Sequence, residues 1–284
     1  MSEGHPETVK LDSAADSGLA ENSETEISPR PDPKKMSNWC TSFIYKTDKS
    51  KYTLASNLDL WFNYHYTYMA FQADYYKWGK LVASGMEIAG IPGSPRIYSH
   101  RGQWVVSLNK RNSAYTKGRG VDYFVLEMLA TRSREQETML LLNTALTTTS
   151  YDEALKKLSK TPTFSPVYYI LTGRSFNGKN EDKEGVVIEK AATYVHATYA
   201  LDWQNPDKIL DTWFLAQTNY DRDVPDPKDD YRRVPLEKKI AAAGFSGMNT
   251  DLAWAFLHQS PNMVPFGPQS YTFGSFLVQI DYTK

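Results

Sequence analysis

The sequence of 284 residues lacks several features that particular classes of protein require. It has a single cysteine, Cys40, which excludes an internal disulfide framework and any zinc or iron–sulfur cage made of cysteines from one chain. It has no run of about 18 apolar residues, the length needed to span a bilayer. Its formal net charge of −1 gives no electrostatic reason to expect a nucleic-acid partner. These absences predict a globular protein and make Cys40 the first residue to question.

Residues 1–35 differ in composition from the rest of the chain. They hold eight acidic and four basic residues and no Phe, Trp or Tyr. Such a segment cannot bury enough apolar surface to offset its ordering entropy, so we predict a disordered acidic leader. Residues 36–284, which hold all the aromatics, are predicted to form one domain, and an aromatic content of 13% favours a β-rich fold.

The order of predicted elements is strands, then helices, then strands. Alternating or β-prone runs predict strands at 41–45, 52–54, 64–68, 75–82, 104–108, 167–171, 185–189, 193–200, 213–217 and 271–281. Apolar spacing predicts helices at 121–130, 135–146, 151–159, 235–243 and 250–259, and Ser150 with Glu153 forms a capping box before the third. The Gly- and Pro-rich stretch 85–102 is predicted to be loop, as is the charged stretch 226–233. This order suits two β layers with helices packed outside.

Cys40 begins the first predicted strand of the domain, directly after the leader. A lone cysteine is commonly an inert buried hydrophobe. At this place, however, it would become an N-terminal nucleophile if the chain were cut before it. The freed α-amine, with a pKa of about 7.7–8.0, would then be the general base. That chemistry needs no histidine, and none of the five His lies in a triad or metal-ligand spacing.

Four other residues have both a functional and a purely structural interpretation. Asp59, at the end of the second predicted strand, either caps a turn or accepts a hydrogen bond from the new amine. Asn219 follows the strand at 213–217 and either makes turn hydrogen bonds or donates its amide to an oxyanion. Arg232 and Arg233 follow an acidic stretch and form either surface ion pairs or a contact with the substrate carbonyl or carboxylate.

Several short motifs together resemble the β-subunit of acid ceramidase and N-acylethanolamine-hydrolysing acid amidase. Cys40-Thr41-Ser42, followed by Asn57-Leu58-Asp59, matches the start of that subunit in type and spacing. The further matching motifs are Ser150-Tyr151-Asp152-Glu153-Ala154, Lys160-Thr161-Pro162, Tyr168-Tyr169-Ile170-Leu171, Glu184-Gly185-Val186-Val187-Ile188, Gln217-Thr218-Asn219-Tyr220-Asp221-Arg222, Arg232-Arg233 and Tyr271-Thr272-Phe273. The resemblance runs from about residue 40 to the end, and the Asn-Tyr-Asp block makes it specific.

The resemblance implies an α+β, four-layer αββα N-terminal-nucleophile hydrolase fold, with two stacked antiparallel sheets flanked by helices. It also implies autocatalytic cleavage before Cys40 and hydrolysis of an N-acyl lipid to a fatty acid and an amine, with no metal or cofactor. By position Cys40 would be the nucleophile and Asp59 the partner of its amine. Asn219 would belong to the oxyanion hole, and Arg232 would be the active-site arginine.

Two family positions are altered. The arginine of the family's Gly-Arg-Asn-x-Asp corresponds to Ser56, and the glutamate of its Asn-Glu-Arg corresponds to Lys110. Since an arginine beside a cysteine raises its thiolate fraction, this change bears on reactivity. One hypothesis is that Lys110 replaces the missing cation. The other is that the site has decayed and the chain is an inactive lipid-binding or regulatory relative.

The family also carries a signal peptide and a helical α-subunit before the cysteine, whereas 39 residues precede Cys40 here. Three explanations stay open: an incomplete gene model, a cytosolic derivative, or a product that needs a separate helical α-subunit or activator. The resemblance implies a lysosomal or secretory location, but the missing signal peptide predicts a cytoplasmic protein if the sequence is complete. Peripheral membrane contact is compatible with a lipid substrate.

The choice of substrate is left open by the sequence. Ceramide and N-acylethanolamine are not separated, although residues 160–162 and 167–170 are slightly nearer the acylethanolamide enzyme. A non-lipid amide, such as a bile-acid conjugate or penicillin, is a further alternative. The aromatic stretch 61–78 either lines an acyl channel or is plain strand core.

Overall fold

The computed structural model describes residues 8–13, 40–47, 50–60, 69–111, 135–175, 184–201, 213–225, 227, 231–259, 262 and 271–282. Within these residues two antiparallel sheets are packed face to face. The strands of the first are β1 (Thr8–Ser13), β2 (Cys40–Lys46), β3 (Lys51–Leu60), β11 (Phe214–Gln217) and β12 (Tyr271–Asp281). They lie in the order β1-β12-β3-β2-β11. The nucleophile candidate is therefore the first residue of an inner strand.

The second sheet follows the chain in order. Its strands are β4 (Ala70–Lys77), β5 (Lys80–Ile88), β6 (Ile91–Ser99), β7 (Trp104–Lys110), β8 (Val167–Gly173), β9 (Gly185–Lys190) and β10 (Val195–Ala200). Each strand pairs antiparallel with the next, so the order runs from β10 at one edge to β4 at the other. β6 and β7, which matter for the site, are inner strands.

Four helices lie within the described residues. They are α1 (Glu137–Thr147), α2 (Tyr151–Lys160), α3 (Arg233–Ala243) and α4 (Thr250–Leu257). The capping box predicted for α2 is confirmed, since the Ser150 hydroxyl accepts from the Glu153 amide at 3.2 Å. No helix of these described residues is long and apolar enough to cross a membrane.

Three apolar clusters divide the domain into four layers. The inter-sheet cluster joins residues of the first sheet, such as Ile44 and Leu54, to residues of the second, such as Val105 and Ile170. A second cluster packs α1 and α2 on the outer face of the second sheet, and a third packs α3 and α4 on the outer face of the first. Burial of such side chains is the main stabilising term, about 1.5–3 kcal/mol for each large one. The predicted αββα fold class is confirmed.

Two sequence predictions on the second sheet are wrong. The run 75–82 is not one strand, because the chain turns at Trp78 and Gly79, both with positive φ, and makes the β4–β5 hairpin. The stretch 85–102 is not loop, because it contains the end of β5 and all of β6. Its prolines fall at 92 and 95, between the paired residues Ile91 and Arg96, where no ladder amide is needed.

The prediction that residues 1–35 are disordered differs from the structure in one short part. Residues 8–13 form the edge strand β1, which pairs antiparallel with β12, so this short part of the leader has regular structure. The rest of 1–35 lies outside the described residues, as do the strand predicted at 64–68, the helix predicted at 121–130 and half of the charged loop 226–233 (226 and 228–230). The remaining predicted strands and helices are found, with ends that differ by a few residues.

Candidate active site

The open end of the β2–β3 hairpin carries buried polar side chains on both faces of its sheet: Ser42 and Ser56 face the second sheet, and Thr41 and Asn57 face the helices. Its register pairs Cys40 with Leu58, Thr41 with Asn57 and Ser42 with Ser56. All of these residues are buried. Because a buried polar group is costly unless it is hydrogen-bonded, such side chains at the end of a hairpin need partners from other elements.

Asn219 supplies the first of these partners. β11 runs antiparallel to β2 with Gln217 opposite Ser42, so the residues that follow β11 pass the beginning of β2. The backbone nitrogen of Cys40 donates to Asn219 Oδ1 at 2.6 Å. The amide nitrogen of Asn219 donates to the carbonyl of Lys110 at 2.8 Å. Both ends of the Asn219 amide are therefore in use, and its oxygen holds the nitrogen that self-cleavage would free.

Arg232, just before α3, joins the remaining groups. Its guanidinium donates to Asn219 Oδ1 at 2.8 Å, to the Thr41 hydroxyl at 3.0 Å and to Asp59 Oδ2 at 3.3 Å. The other oxygen of Asp59 accepts from the Thr272 hydroxyl at 2.7 Å. The Arg232–Asp59 ion pair is almost fully buried, with side-chain exposures of 3% and 0%. Its geometry is fixed by three strands and one helix start.

The four residues predicted from the sequence thus lie together: Cys40, Asp59, Asn219 and Arg232. For two of these residues, the hydrogen bonds in the structure differ from those that the predicted role requires. Asn219 faces the Cys40 nitrogen with its acceptor oxygen, while its donor contacts Lys110, so an oxyanion role for Asn219 stays a prediction. Arg232 donates to the protein's own groups, and its contact with substrate also stays a prediction.

A residue that the sequence analysis did not single out, Arg96 of β6, lies under the same hairpin. It follows the irregular part of β6, where the Ser94 hydroxyl donates to the Arg96 carbonyl at 2.6 Å. The Arg96 guanidinium donates from Nε to the Ser56 hydroxyl at 3.0 Å, and from Nη2 to the Asn57 carbonyl at 2.9 Å. Arg96 has no exposed surface. The signal in the sequence was the alternation of β6, in which Tyr98 faces the inter-sheet layer and Arg96 shares its face.

A chain of hydrogen bonds runs from Arg96 across the inter-sheet layer. Ser56 and Ser42 share a hydrogen bond of 2.8 Å, and Ser42 donates to Asn109 Oδ1 at 2.7 Å. The amide nitrogen of Asn109 then donates to the Gln217 carbonyl at 2.8 Å. Since Arg96 can only donate, Ser56 donates onward to Ser42, and every bond of the chain points away from the guanidinium. This chain connects β6, β3, β2, β7 and β11 around Cys40.

Lys110 does not supply the cation that the first hypothesis gave it. Its side chain is exposed, and the contact that ties this residue to the site is its backbone carbonyl. Ser56, the other altered position, is fully buried and is bonded to Arg96. A guanidinium is therefore present beside the hairpin, although it comes from β6 and not from β3.

Beside Asn219, an ion pair fixes the Asn-Tyr-Asp block. Arg111 binds both oxygens of Asp221 at 2.7 Å, and Tyr168 donates to Asp221 at 2.7 Å. Burial and the Asp221 carboxylate raise the pKa of Tyr168 far above its usual value. Tyr168 therefore acts as a hydrogen-bond donor and not as an acid.

One set of described residues has the proximity of metal ligands: Glu189, His196 and Asp221, whose ligand atoms lie within 4.8 Å of one another. Both oxygens of Asp221 already accept from Arg111, which places a fixed cation where a metal ion would bind. The ion pair between Arg111 and Asp221 therefore explains this cluster without a metal ion.

Comparison with known proteins finds similar sequences among amidases. Mouse N-acylethanolamine-hydrolyzing acid amidase is 26% identical over 229 residues, which are 80% of this chain and 58% of that protein. Mouse acid ceramidase is 33% identical over 138 residues, which are 48% of this chain and 31% of that protein. The chain is similar in sequence to these amidases. The resemblance predicted from the motifs is confirmed.

A solved structure supports the fold of this amidase relative. The Caenorhabditis elegans N-acylethanolamine-hydrolyzing acid amidase ortholog matches with a TM-score of 0.65 and 24% identity, over 82% of this chain and 99% of that chain. No protein-family model matches the sequence. The chain spans 58% of the length of the first relatives, N-acylethanolamine-hydrolyzing acid amidases of mouse and rabbit (Oryctolagus cuniculus).

Proposed function

We propose that the protein hydrolyses the amide bond of an N-acyl lipid with Cys40 as an N-terminal nucleophile, freed by cleavage between Trp39 and Cys40. The observation that carries the proposal is the 2.6 Å hydrogen bond from the Cys40 nitrogen to Asn219 Oδ1. An acceptor held in place by Arg232 keeps that nitrogen in position before cleavage, and keeps the α-amine in position as a general base after it. The names of the relatives, an N-acylethanolamine amidase and a ceramidase, supply the substrate class.

Self-cleavage would use the same atoms as catalysis. The sulfur of Cys40 attacks the carbonyl carbon of Trp39, the C–N bond breaks, and the nitrogen takes up a proton to become the α-amine. Water then hydrolyses the resulting thioester and releases the leader with a carboxylate end. During this sequence Asn219 Oδ1 accepts first from the peptide N–H and then from the amine, so the acceptor need not move.

Amide hydrolysis would follow with the amine as base and acid. The sulfur adds to the amide carbonyl of the lipid, and the amine passes a proton to the leaving nitrogen as the C–N bond breaks. Water hydrolyses the acyl-thioester to a fatty acid and restores the thiol. Asp59, ion-paired with Arg232 beside Thr41, would orient the amine through this network.

The first test is the mass of the purified protein. We expect loss of residues 1–39 and a new N-terminus at Cys40, because the attacking sulfur and the nitrogen to be freed belong to one residue. Cys40→Ala removes the sulfur and keeps the backbone, so it should stay full-length, and circular dichroism checks that it is folded. Full-length wild-type protein after incubation across acidic and neutral pH would contradict the proposal.

The second test is turnover. Cleaved protein should release fatty acid from an N-acylethanolamine or a ceramide in detergent micelles, and Cys40→Ala should release none. The described residues do not choose between the two head groups, so both substrates are needed. Conjugated bile acid and penicillin V serve as non-lipid amides. Turnover of these alone would contradict an N-acyl lipid substrate and indicate a non-lipid amide.

A second candidate function is favoured by Ser56 and Lys110, which stand where the family has an arginine and a glutamate. On that account the protein binds acyl amides without hydrolysing them. It predicts that binding of a fluorescent acyl amide is the same in wild type and Cys40→Ala. It also predicts that neither protein cleaves itself.

A further inference from the structure

Arg96 is a buried cation with an unusual set of partners. Within the described part of the chain its hydrogen bonds go to neutral oxygens: the Ser56 hydroxyl and the carbonyls of Asn57, Leu108 and Pro95. No carboxylate of those described residues lies within 4.0 Å of its guanidinium. A buried charge is very costly unless an opposite charge accompanies it. Losing the proton is an unfavourable way to escape that cost, because the ordinary pKa of an arginine is above about 12.

The neighbour that can provide the negative charge is Cys40. Arg96 pairs across the sheet with Met86 and shares its face with Tyr98, and both of these residues belong to the inter-sheet cluster that contains Cys40. The Asn57 carbonyl that accepts from Arg96 belongs to the residue paired with Thr41, next to Cys40. These contacts place Arg96 next to the beginning of β2, the strand whose first residue, Cys40, the proposed function makes the nucleophile.

We propose that Arg96 is the counter-cation of a Cys40 thiolate, so that the cation missing from the family position on β3 is supplied here from β6. The proposal rests on the proposed function for the identity of the nucleophile. It assigns Ser56 a role as well, since a serine at that position accepts from Arg96, whereas an arginine there would repel it.

The electrostatics of Arg96 agree with this geometry. The pKa of Arg96 is lowered, mainly by burial, while the neighbouring Cys40 and, after it, Asp59 act in the opposite direction. The other charged groups at the site are accounted for. Asp59 pairs with Arg232, Asp221 pairs with Arg111, and the Lys110 side chain is exposed.

The proposal can be tested without substrate. Cys40 is the only cysteine, so the ultraviolet absorbance of the thiolate, taken as the difference between each protein and its own Cys40→Ala variant, reports this sulfur alone. We expect wild type to show thiolate at neutral pH. In Arg96→Gln the midpoint of the thiolate signal should move up by about 1–3 pH units, since an opposite charge is lost. Arg96→Lys, which keeps the charge, should move it less.

An exchange of the two residues separates an electrostatic role from a structural one. Ser56→Arg/Arg96→Ser has the same composition as wild type and returns the arginine to the family position. We expect it to restore the thiolate midpoint that Arg96→Gln loses. Arg101→Gln, which changes an exposed arginine just after β6, is the matched control and should leave the midpoint where it is.

Each outcome decides the proposal. Wild-type protein without thiolate at neutral pH overturns it, whether or not any variant folds. A folded Arg96→Gln with the wild-type midpoint also overturns it. If Arg96→Gln does not fold, the exchange variant takes its place and must show the wild-type thiolate midpoint. If the exchange variant does not fold either, the titration of the wild-type protein decides. A thiolate that depends on Arg96, in a protein that neither cleaves itself nor hydrolyses amides, would support this inference and contradict the proposed function.

Discussion

Strand β2 has a buried polar site at each end, and the two sites treat charge differently. At its far end Lys46, with 2% of its side chain exposed, donates to Glu184 at 2.7 Å and to the Tyr52 hydroxyl at 2.8 Å. Tyr52 completes the triangle by donating to the same Glu184 oxygen at 2.5 Å. At its near end the buried cation is Arg96, whose described partners are neutral oxygens.

This difference distinguishes a buried charge that stabilises the fold from a buried charge that takes part in a reaction. Lys46 and Glu184 satisfy each other, so nothing at that end is left to react. At the near end, the group that can neutralise Arg96 is the sulfur of a residue whose nitrogen is also held, by Asn219. A buried arginine without a carboxylate, next to a titratable sulfur, thus indicates a reactive site.

The largest effect is expected from breaking the far-end pair. Glu184→Gln removes the carboxylate that is ion-paired with the buried Lys46, which should cost about 3–5 kcal/mol of unfolding free energy. Urea denaturation measures this cost. The double variant Lys46→Met/Glu184→Gln removes both charges and should recover most of it.

The comparison between the two ends of β2 fails if variants at both ends lose the same unfolding free energy. Arg96→Gln leaves a thiol that can take up a proton, so it should cost less stability than Glu184→Gln in the same urea experiment. An equal cost in the two variants would mean that Arg96 has a structural role only. A thiolate midpoint that moves in Glu184→Gln would mean that the two ends are not independent.

A smaller effect is expected from Glu189, a buried carboxyl that can neutralise itself. Burial first, and Asp221 and Asp223 next, raise the pKa of Glu189 to about 7 from an ordinary 4.5, against the lowering by the Arg222 amide and Arg111. The folded state therefore holds its proton more tightly than the unfolded chain. The stability this provides is present below pH 4.5 and is lost as the pH rises through 7.

Glu189→Gln keeps an acceptor for the Arg222 amide and removes the titration. We expect the unfolding free energy of wild type to fall by about 1–3 kcal/mol more than that of Glu189→Gln between pH 4.5 and pH 7. Urea denaturation at a series of pH values measures both slopes, and charges common to the two proteins cancel in the difference. Parallel slopes would show that Glu189 stays ionised, or is neutral throughout.

Much of the fold was predictable because its patterns are local. The capping box at Ser150 and the buried run of β8 depend on neighbours in sequence, and both are found. The second sheet was predicted less well at β6, because its glycines and prolines resemble a loop. Gly93, with φ of +82°, lies so close to the Thr138 backbone that a Cβ would come within 2.4 Å of it. That glycine reflects the packing of β6 against α1, a contact distant in sequence.

The residues of the site also divide into those that a local motif predicted and one that no motif predicted. Cys40, Asp59, Asn219 and Arg232 were found because each lies in a motif of the family. Arg96 was not found, because it follows Pro95 in a stretch without a motif, and its partners Ser56 and Asn57 are about 40 residues away in sequence. Only the stacking of the two sheets brings them together. The exposed aromatics of β4 and its turn, Phe71, Tyr76 and Trp78, likewise do not form the strand core that one interpretation gave them.

The smallest effect is expected from the neutral link between Arg96 and the end of β11. Ser42→Ala removes the hydroxyl that accepts from Ser56 and donates to Asn109. The loss should cost about 1 kcal/mol in urea denaturation, since no charge is left unpaired. It should move the thiolate midpoint much less than Arg96→Gln does, because the Arg96 bonds to Ser56 and Asn57 remain. A shift as large as that of Arg96→Gln would mean that the hydrogen-bond chain, and not the guanidinium charge, controls the sulfur.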